Sequence, residues 1–319
     1  MGSTAEAGLT GSIVEAGPDG ERSSISLGFV DHVIWEGDPP KLRAPILVCA
    51  FAGWNDAASA ASTALEAIAS GFESEITARL DPEDFYDFQV NRPTIRLVDG
   101  RTREVDWPAN TLVAVNAAGA ERDLVLLSGV EPNLRWRTYS SAILDAAERL
   151  GVEMLVSLGA LIADVAHTHP VPITGLATDD ELVERLNLSR SNYEGPTGIV
   201  GVLHDQCRER GISSASLWAA IPHYVAAVPN PKAALALLRR LEGVTGIALE
   251  ASELEDAMER FESQIDRAVA ANPEIEDLVR RLESQQADDL ELPQDVPSGD
   301  TLARDFQRFL RQRGEDEAE

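Results

Sequence analysis

Four short, continuous apolar runs are the clearest pattern in the sequence. They cover residues 45–52, 123–128, 153–161 and 214–221. They lack the apolar–polar alternation that a strand with one face in solvent would show. Unalternated runs are typical of strands that are covered on both faces of a parallel sheet. We therefore predict that these segments are strands of one central sheet.

Helix-like segments lie between the apolar runs. Residues 56–70 are rich in Ala and follow Asp56, a good helix-capping residue. Residues 136–150 and 198–210 have helical patterns and end before Gly151 and Gly211. Strands that alternate with helices favour βαβ units. The pattern thus predicts an α/β fold, a three-layer α/β/α domain.

Residues 94–106 have a different pattern. Two strand-like stretches flank the pair Asp99-Gly100, which is typical of a tight hairpin turn. We predict a β-hairpin at the edge of the sheet or projecting from it.

The chain becomes helical after Pro231, the first residue of a predicted helix that ends near Gly243. Residues 250–271 then form an amphipathic helix, and a further helix begins near Pro273. The apolar stripe of the amphipathic helix consists of Leu254, Met258, Phe261, Ile265 and Val269. Two surfaces could receive this stripe, the parent domain or a neighbouring subunit.

These patterns divide the chain into four predicted segments. Residues 1–24 form a disordered tail, since they are rich in Gly, Ser, Ala and Glu. Residues 25–245 form the core domain and residues 246–285 a C-terminal helical extension. Residues 286–319 form an acidic linker followed by a short terminal helix over 300–312.

Charge and cysteine content exclude several classes of partner. The chain has 54 acidic residues against 27 Lys and Arg, a net charge of −27, so binding to nucleic acid is not expected. No apolar run approaches the roughly 20 residues that cross a bilayer, so no membrane partner is expected. Cys49 and Cys207 are too few for a disulfide framework. We expect a cytoplasmic protein.

Several strings together resemble the proteasome assembly chaperone two family, in particular its bacterial members. The strings are Phe51-Ala-Gly-Trp-Asn-Asp-Ala57, Phe85-Tyr-Asp-Phe-Gln-Val-Asn-Arg-Pro93, Gly159-Ala-Leu-Ile-Ala-Asp-Val-Ala-His167, Tyr193-Glu-Gly-Pro-Thr-Gly-Ile199 and Pro222-His-Tyr-Val225. The resemblance covers roughly residues 28–285. It implies an α/β/α domain similar to nucleoside phosphorylases and peptidyl hydrolases, with helices added at the C-terminus.

The resemblance also implies partners. They are other proteins, proteasome-related ones among them, and further copies of the chain, with a trimer as the expected homo-oligomer. Some relatives end in a hydrophobic–Tyr–any-residue tail that docks between ring subunits. This chain ends in Glu317-Ala318-Glu319, so that docking mode is not expected.

The same strings place polar residues just after the predicted strands. Open α/β sheets bind ligands at the carboxyl ends of their strands, so we predict a shared cleft there. Its candidate ligand-binding residues are Gly53, Trp54, Asn55, Asp56, Glu194, Gly195 and His223. Two of the strings also have a structural interpretation: Asp56 as a helix cap, and Gly195 as part of a tight loop in which Thr197 caps the 198–210 helix.

No familiar catalytic or cofactor motif occurs in the sequence. There is no Gly-x-Ser-x-Gly elbow, Walker loop or Gly-x-Gly-x-x-Gly fingerprint. His167, His169 and His223 lack metal-site spacing, so neither a metal nor a cofactor is predicted. Two functions remain open. One is a binding protein that acts through its surfaces, and the other is a hydrolase- or phosphorylase-like enzyme that uses the strand-end cleft.

Overall fold

The computed structural model describes residues 32–177, 179–190 and 193–290, with side chains to residue 285. The described residues from Val33 onward form one compact unit. The predicted tail over 1–24 and the predicted terminal helix over 300–312 lie outside the described residues. The proposed boundaries between core, extension and acidic terminal segment stay predictions.

The described residues contain eleven strands and seven α-helices. The strands are β1 (Val33–Trp35), β2 (Ile46–Ala52), β3 (Ser74–Leu80), β4 (Thr94–Val98), β5 (Thr102–Asp106), β6 (Thr111–Val115), β7 (Leu124–Val130), β8 (Met154–Ala163), β9 (Ile173–Ala177), β10 (Ser189–Arg190) and β11 (Ser213–Pro222). The helices are α1 (Ala60–Ser70), α2 (Trp136–Arg149), α3 (Asp180–Leu186), α4 (Ile199–Arg210), α5 (Pro231–Thr245), α6 (Ser252–Ala270) and α7 (Pro273–Leu290). Short 3-10 turns cover Ala57–Ser59 and His223–Val225.

A nine-stranded sheet forms the centre of the molecule, in the order β1-β3-β6-β7-β2-β8-β11-β9-β10. The four strands predicted from apolar runs are consecutive in this order, and each pairs with its neighbour in parallel. Ile46 of β2, for example, is aligned with Leu124 of β7 and Met154 of β8. The predicted central sheet is confirmed.

The central strands bury both of their faces, which explains why their sequences do not alternate. Val48 and Ala50 of β2 lie in a core that includes side chains of α1 and α5. Cys49 and Phe51 lie in a second core that includes side chains of α2 and α4. The helices therefore cover the sheet on both sides, as expected for the three-layer α/β/α fold.

The predicted hairpin is confirmed as β4 and β5, which form a separate two-stranded sheet. It is inserted between β3 and β6, beyond the end of β3 and before Thr111 of β6. Thr111 is aligned with Ser128, near the end of β7, so the hairpin leaves the domain at the carboxyl edge of the parallel strands. At its base the Trp107 ring packs edge-on against Phe88, with ring centroids 4.8 Å apart.

The amphipathic helix α6 packs on its own domain. Leu254 is buried in the core that α1 and α5 line, and Phe261 is also buried. A salt bridge reinforces this packing: Lys232 Nζ of α5 lies 2.7 Å from Glu262 Oε1 of α6. Of the two surfaces considered for the stripe, the structure shows the parent domain. None of the helices in the described part of the chain has the length and apolar character that a membrane crossing requires.

His204 of α4 provides a titratable contact between a helix and the sheet. Its Nε2 lies 2.8 Å from Ser157 Oγ of β8, and burial lowers the pKa of the imidazole to about 4. An unfolded histidine titrates near pH ~6.5. As the pH falls through that value, the unfolded chain takes up a proton that the folded protein does not accept until about pH 4. This contribution to stability is complete above the unfolded pKa and is lost toward the folded pKa.

We expect the substitution His204→Gln to remove part of the acid sensitivity of the fold. Glutamine keeps an amide for Ser157 but does not titrate over this range. Between about pH 7.5 and about pH 5, the wild type should lose about 1–2 kcal/mol more unfolding free energy than the variant. Urea unfolding at the two pH values measures this difference. His223→Gln, at the protein surface, is the control and should behave as the wild type; equal pH profiles for wild type and His204→Gln would contradict the prediction.

Candidate functional site

The loop after β2 folds back over the neighbouring strand β8. Gly53 has a φ of +127°, a region that favours glycine, and this conformation starts the turn. The carbonyl of Asn55 then accepts a hydrogen bond of 2.8 Å from the backbone N–H of Ala160 in β8. Asn55 and Asp56 are buried by this arrangement, whereas Trp54 keeps 41% of its surface exposed.

The Asp56 side chain caps helix α1, which confirms its structural interpretation, but the helix begins later than predicted. The helix begins at Ala60, after a 3-10 turn, and not directly at Asp56 as the pattern predicted. The Asp56 carboxylate accepts hydrogen bonds from Ala61 N (2.7 Å) and from Ser62 Oγ (2.6 Å). Burial raises the pKa of this carboxyl, and the hydrogen bonds oppose that effect. Both oxygens are thus engaged by the helix that follows.

A glutamate that the sequence analysis did not select joins three segments at this edge. Glu131 follows the last residue of β7, and its Oε1 accepts the backbone N–H of Ile199, the first residue of α4, at 2.8 Å. The carboxylate also accepts the N–H of Trp54. The amide Nδ2 of Asn55 lies 3.4 Å from the same Oε1. Burial raises the pKa of the Glu131 carboxyl, and the backbone hydrogen bonds oppose that shift.

Close packing at Gly198 lets these groups meet. A Cβ atom at this position would lie 2.6 Å from both Asn55 Nδ2 and Glu131 Oε1. Any side chain larger than hydrogen would therefore separate the amide and the carboxylate from the start of α4. The expected cap Thr197 does not cap this helix: its hydroxyl contacts the carbonyl of Gly198, and Glu131 supplies the capping oxygen from the loop after β7.

The loop that contains Glu194 and Gly195 makes its own local contacts. The hydroxyl of Tyr193 donates a 2.7 Å hydrogen bond to the carbonyl of Pro196, so the Tyr193 ring lies over Gly195. The side chain of Glu194 is exposed.

His223 belongs to a different group of contacts, after β11. Its Nδ1 lies 3.2 Å from Asp164 Oδ1, and its ring packs edge-on against Tyr224. The Tyr224 hydroxyl accepts the backbone N–H of His167 at 2.8 Å. The buried imidazole of His167 lies between this hydroxyl and Asp266 of α6, at 2.7 and 3.1 Å.

The structure therefore brings part of the predicted site together. Gly53, Asn55 and Asp56 share the β2–α1 loop with Trp54. Asn55 and Trp54 meet Glu131, which also binds the start of α4, whereas Asp56 binds α1. Glu194 and His223 have separate contacts, and a single cleft that joins all these residues stays a prediction. The sequence did hold a signal for Glu131, because it directly follows an apolar strand whose last residues include Gly129.

The carboxylates of Glu131 and Asp56 join separate segments at this edge by hydrogen bonds, and we call this arrangement the polar joint. Backbone N–H groups of Trp54 and Ile199 are satisfied by one carboxylate, and the Asp56 carboxylate is satisfied by α1. Near His167 and Pro222 there is a space of about 10 Å³, which holds roughly one water molecule. Across the described residues, no group of three or more His, Cys, Asp or Glu side chains is arranged to hold a metal ion.

Both cysteines lie in the core and are unsuited to nucleophilic chemistry. Cys49 and Cys207 are free thiols with no exposed surface. Burial raises the pKa of Cys207 to about 12 and that of Cys49 further still, so neither forms a thiolate at neutral pH.

Comparisons with known proteins identify similar chains. The model of the PAC2 family matches residues 50–269. A PAC2 family protein from Streptomyces avermitilis has a similar crystal structure, with 45% sequence identity and a TM-score of 0.70 over 74% of this chain and 99% of that chain. A proteasome-assembly chaperone homologue from Mycobacterium tuberculosis, Rv2125, is 44% identical, with a TM-score of 0.68 over 73% of this chain and 99% of that one.

A more distant structure has the same fold. PbaB of Pyrococcus furiosus, an archaeal proteasome activator, has a TM-score of 0.61 at 16% identity and covers 74% of this chain and 97% of that chain. At this identity the similarity shows the fold alone. A comparison with curated proteins finds no match.

We expect Glu131→Ala to destabilise the fold, because the N–H groups of Trp54 and Ile199 lose their common acceptor. The loss should be about 1–3 kcal/mol of unfolding free energy at neutral pH, as for a lost helix cap with unsatisfied donors. Chemical unfolding measures it. Glu194→Ala removes an exposed carboxylate and should change stability by less than about 0.5 kcal/mol. Similar losses for both variants would show that Glu131 is not a structural joint.

The substitution Asn55→Asp should introduce a pH-dependent defect. It places a second carboxylate about 3.4 Å from Glu131 Oε1. Two charges at this distance repel, so we expect a loss of about 2–4 kcal/mol at about pH 8. The repulsion raises the pKa of the pair in the folded state, so the loss should shrink as the pH falls toward about 5. Asn55→Ala, measured in parallel, should have a smaller defect that is nearly independent of pH; a constant defect for Asn55→Asp would contradict the prediction.

Proposed function

This chain belongs to the PAC2 family, and from that premise we propose that it acts by binding another protein rather than by converting a small molecule. The partner that we propose is a proteasome subunit or an intermediate in proteasome assembly. The similarity to the Mycobacterium tuberculosis proteasome-assembly chaperone homologue, at 44% identity, supports this choice of partner. We place the interaction in the cytoplasm, which is consistent with two buried free cysteines.

The main support is the state of the polar groups at the carboxyl edge of the sheet. In an α/β enzyme these groups face a substrate. Here the Glu131 carboxylate is bonded to the loop after β2 and to α4, and the Asp56 carboxylate is bonded to α1. Groups that are engaged in this way hold the fold together and leave recognition to the surface. Binding through a surface needs no catalytic set of residues.

One observation favours the alternative, a hydrolase- or phosphorylase-like enzyme. Glu131 is a partly buried carboxyl with a raised pKa at the edge where open sheets bind ligands, and such groups occur frequently in active sites. Burial of the Glu131 carboxyl where the β2–α1 loop meets α4 gives the raised pKa a structural origin, and the hydrogen bonds from Trp54 and Ile199 oppose the shift. A test of the function must therefore include an enzymatic measurement.

We expect the purified full chain to bind proteasome α or β subunits of the same organism directly. Biolayer interferometry with separate α and β subunits measures binding, and native gels follow the yield of assembled core particles with and without the chain. Saturable binding together with a changed rate or yield of assembly supports the proposal. Absence of binding to both subunits and to their assembly intermediates would overturn the proposed partner.

The enzymatic alternative is tested on the same preparation. Native mass spectrometry detects a co-purified small ligand, and panels of ester, peptide and nucleoside substrates test for hydrolysis or phosphorolysis. Turnover that is lost in Asn55→Ala, while the circular dichroism spectrum is unchanged, would overturn the binding proposal in favour of the enzyme. Turnover that persists in Asn55→Ala would show that Asn55 is not required for it.

A further inference from the structure

Two carboxylates of helix α6 meet hydrogen-bond donors at the carboxyl edge of the sheet. Glu262 Oε1 lies 2.7 Å from Lys232 Nζ at the start of α5, and Asp266 Oδ1 lies 3.1 Å from Nε2 of His167 in the loop after β8. Strands β8 and β11 are parallel neighbours, and His167 and Lys232 follow their carboxyl ends. The two donors therefore lie at the edge where open α/β sheets bind ligands.

The donor groups of His167 and Lys232 are oriented by the domain itself. A carboxylate accepts hydrogen bonds and cannot donate them, so Nε2 carries the imidazole proton that faces Asp266. Nδ1 then accepts the proton of the Tyr224 hydroxyl, which lies 2.7 Å away. Lys232 Nζ also donates a 2.6 Å hydrogen bond to the His167 carbonyl, and only 14% of the Lys232 side chain is exposed. Both donors are thus held in place for an anionic group.

The cavity of about 10 Å³ lies beside the same two donors. His167, Lys232 and Phe261 are among its lining residues. Phe261 directly precedes Glu262 in α6 and is buried. Glu262 and Asp266 are four residues apart, which places them on one face of the helix, a turn from each other. The complement of this surface is therefore an acidic amphipathic helix, with one apolar side chain next to two carboxylates.

The attachment of α6 to the domain is largely polar and accessible to water. Of its 19 residues, Leu254 and Phe261 are buried. The two carboxylate side chains that meet donors are 37% and 64% exposed. Helix α7 adds a 2.6 Å hydrogen bond from Thr168 to Glu283. Exposed polar links contribute modestly to stability, and elements with few buried side chains open at a low free-energy cost. Another acidic helix can therefore replace α6 while the sheet stays folded.

We propose that His167, Lys232 and the cavity beside them form a docking site for an acidic amphipathic helix of a partner protein, and that α6 occupies this site in the free chain. The partner helix carries two carboxylates four residues apart and an apolar side chain next to them, as α6 does. Helix α6 then acts as an internal competitor that lowers the affinity of the chain for its partner. This inference rests on the proposed function in protein binding and gives the chemistry of the partner segment.

Binding of a synthetic peptide tests the docking site. The probe is a fluorescent peptide with the sequence of residues 252–270, and fluorescence anisotropy measures its binding to the full chain. The double variant Glu262→Gln, Asp266→Asn weakens the internal competitor, so it should bind the peptide at least about tenfold more tightly than the wild type. The matched control is Asp256→Asn, Glu259→Gln, which removes the same charge from exposed positions of α6. The control should bind the peptide as the wild type does.

A second peptide tests whether the carboxylates are recognised. It contains Glu262→Lys and Asp266→Lys and should bind at least about tenfold more weakly, because it brings an ammonium group against Lys232. The wild-type chain should show the same preference at higher peptide concentration, so the result does not depend on the folding of the double variant. Equal binding of the two peptides, or no binding of the first peptide to a double variant that circular dichroism shows to be folded, would overturn the proposal.

Proteasome subunits connect this test with the proposed function. Their binding should be stronger in the double variant than in the wild type, and the first peptide should displace them. Peptide binding without subunit binding would support the docking site and overturn only the proposed partner. Subunit binding that is equal in wild type and double variant, and that the peptide does not displace, would place the partner on another surface and overturn this inference.

Discussion

The carboxyl edge of this fold depends on the hydrogen bonds that the Glu131 carboxylate accepts. Strands that are buried on both faces end abruptly, and the loops and helix that follow them expose backbone N–H groups that need acceptors. Glu131 satisfies Trp54 after β2 and Ile199 at the start of α4, and thus ties two connections to the end of β7. Gly198 leaves the space for this contact, since a Cβ atom there would meet the same oxygen.

The hydrogen bonds of Glu131 bear on the function of this fold, which by resemblance is similar to phosphorylases and hydrolases. Fold and function are separable, and the chemistry of the site decides between them. At this edge the carboxylates of Asp56 and Glu131 each accept a hydrogen bond from a backbone N–H at the start of a helix, so both groups already have partners within the fold. The hairpin leaves the domain at the same edge and exposes apolar side chains. Both features support the proposed role in binding another protein.

The C-terminal helices close the neighbouring part of this edge. The loop after β8 contributes His167, whose imidazole lies between Tyr224 and Asp266 and whose carbonyl accepts a 2.6 Å hydrogen bond from Lys232 Nζ. Lys232 in turn pairs with Glu262 of α6. These links are polar and partly exposed, so each contributes modestly to stability. Together with the buried Leu254 and Phe261, they fix the helical extension on its own domain.

The sequence alone determined the layers of the fold. The four central strands, the helices between them and the hairpin follow from apolar periodicity and turn residues, which are local properties of the chain. The polar joint was not predictable in this way. Glu131 is 76 residues from Asn55 and 68 from Ile199, so no local pattern relates them. For the same reason the cap of α4 was assigned to Thr197. Tertiary structure alone decided which polar groups meet, because hydrogen-bond partners across a parallel sheet are set by the strand order.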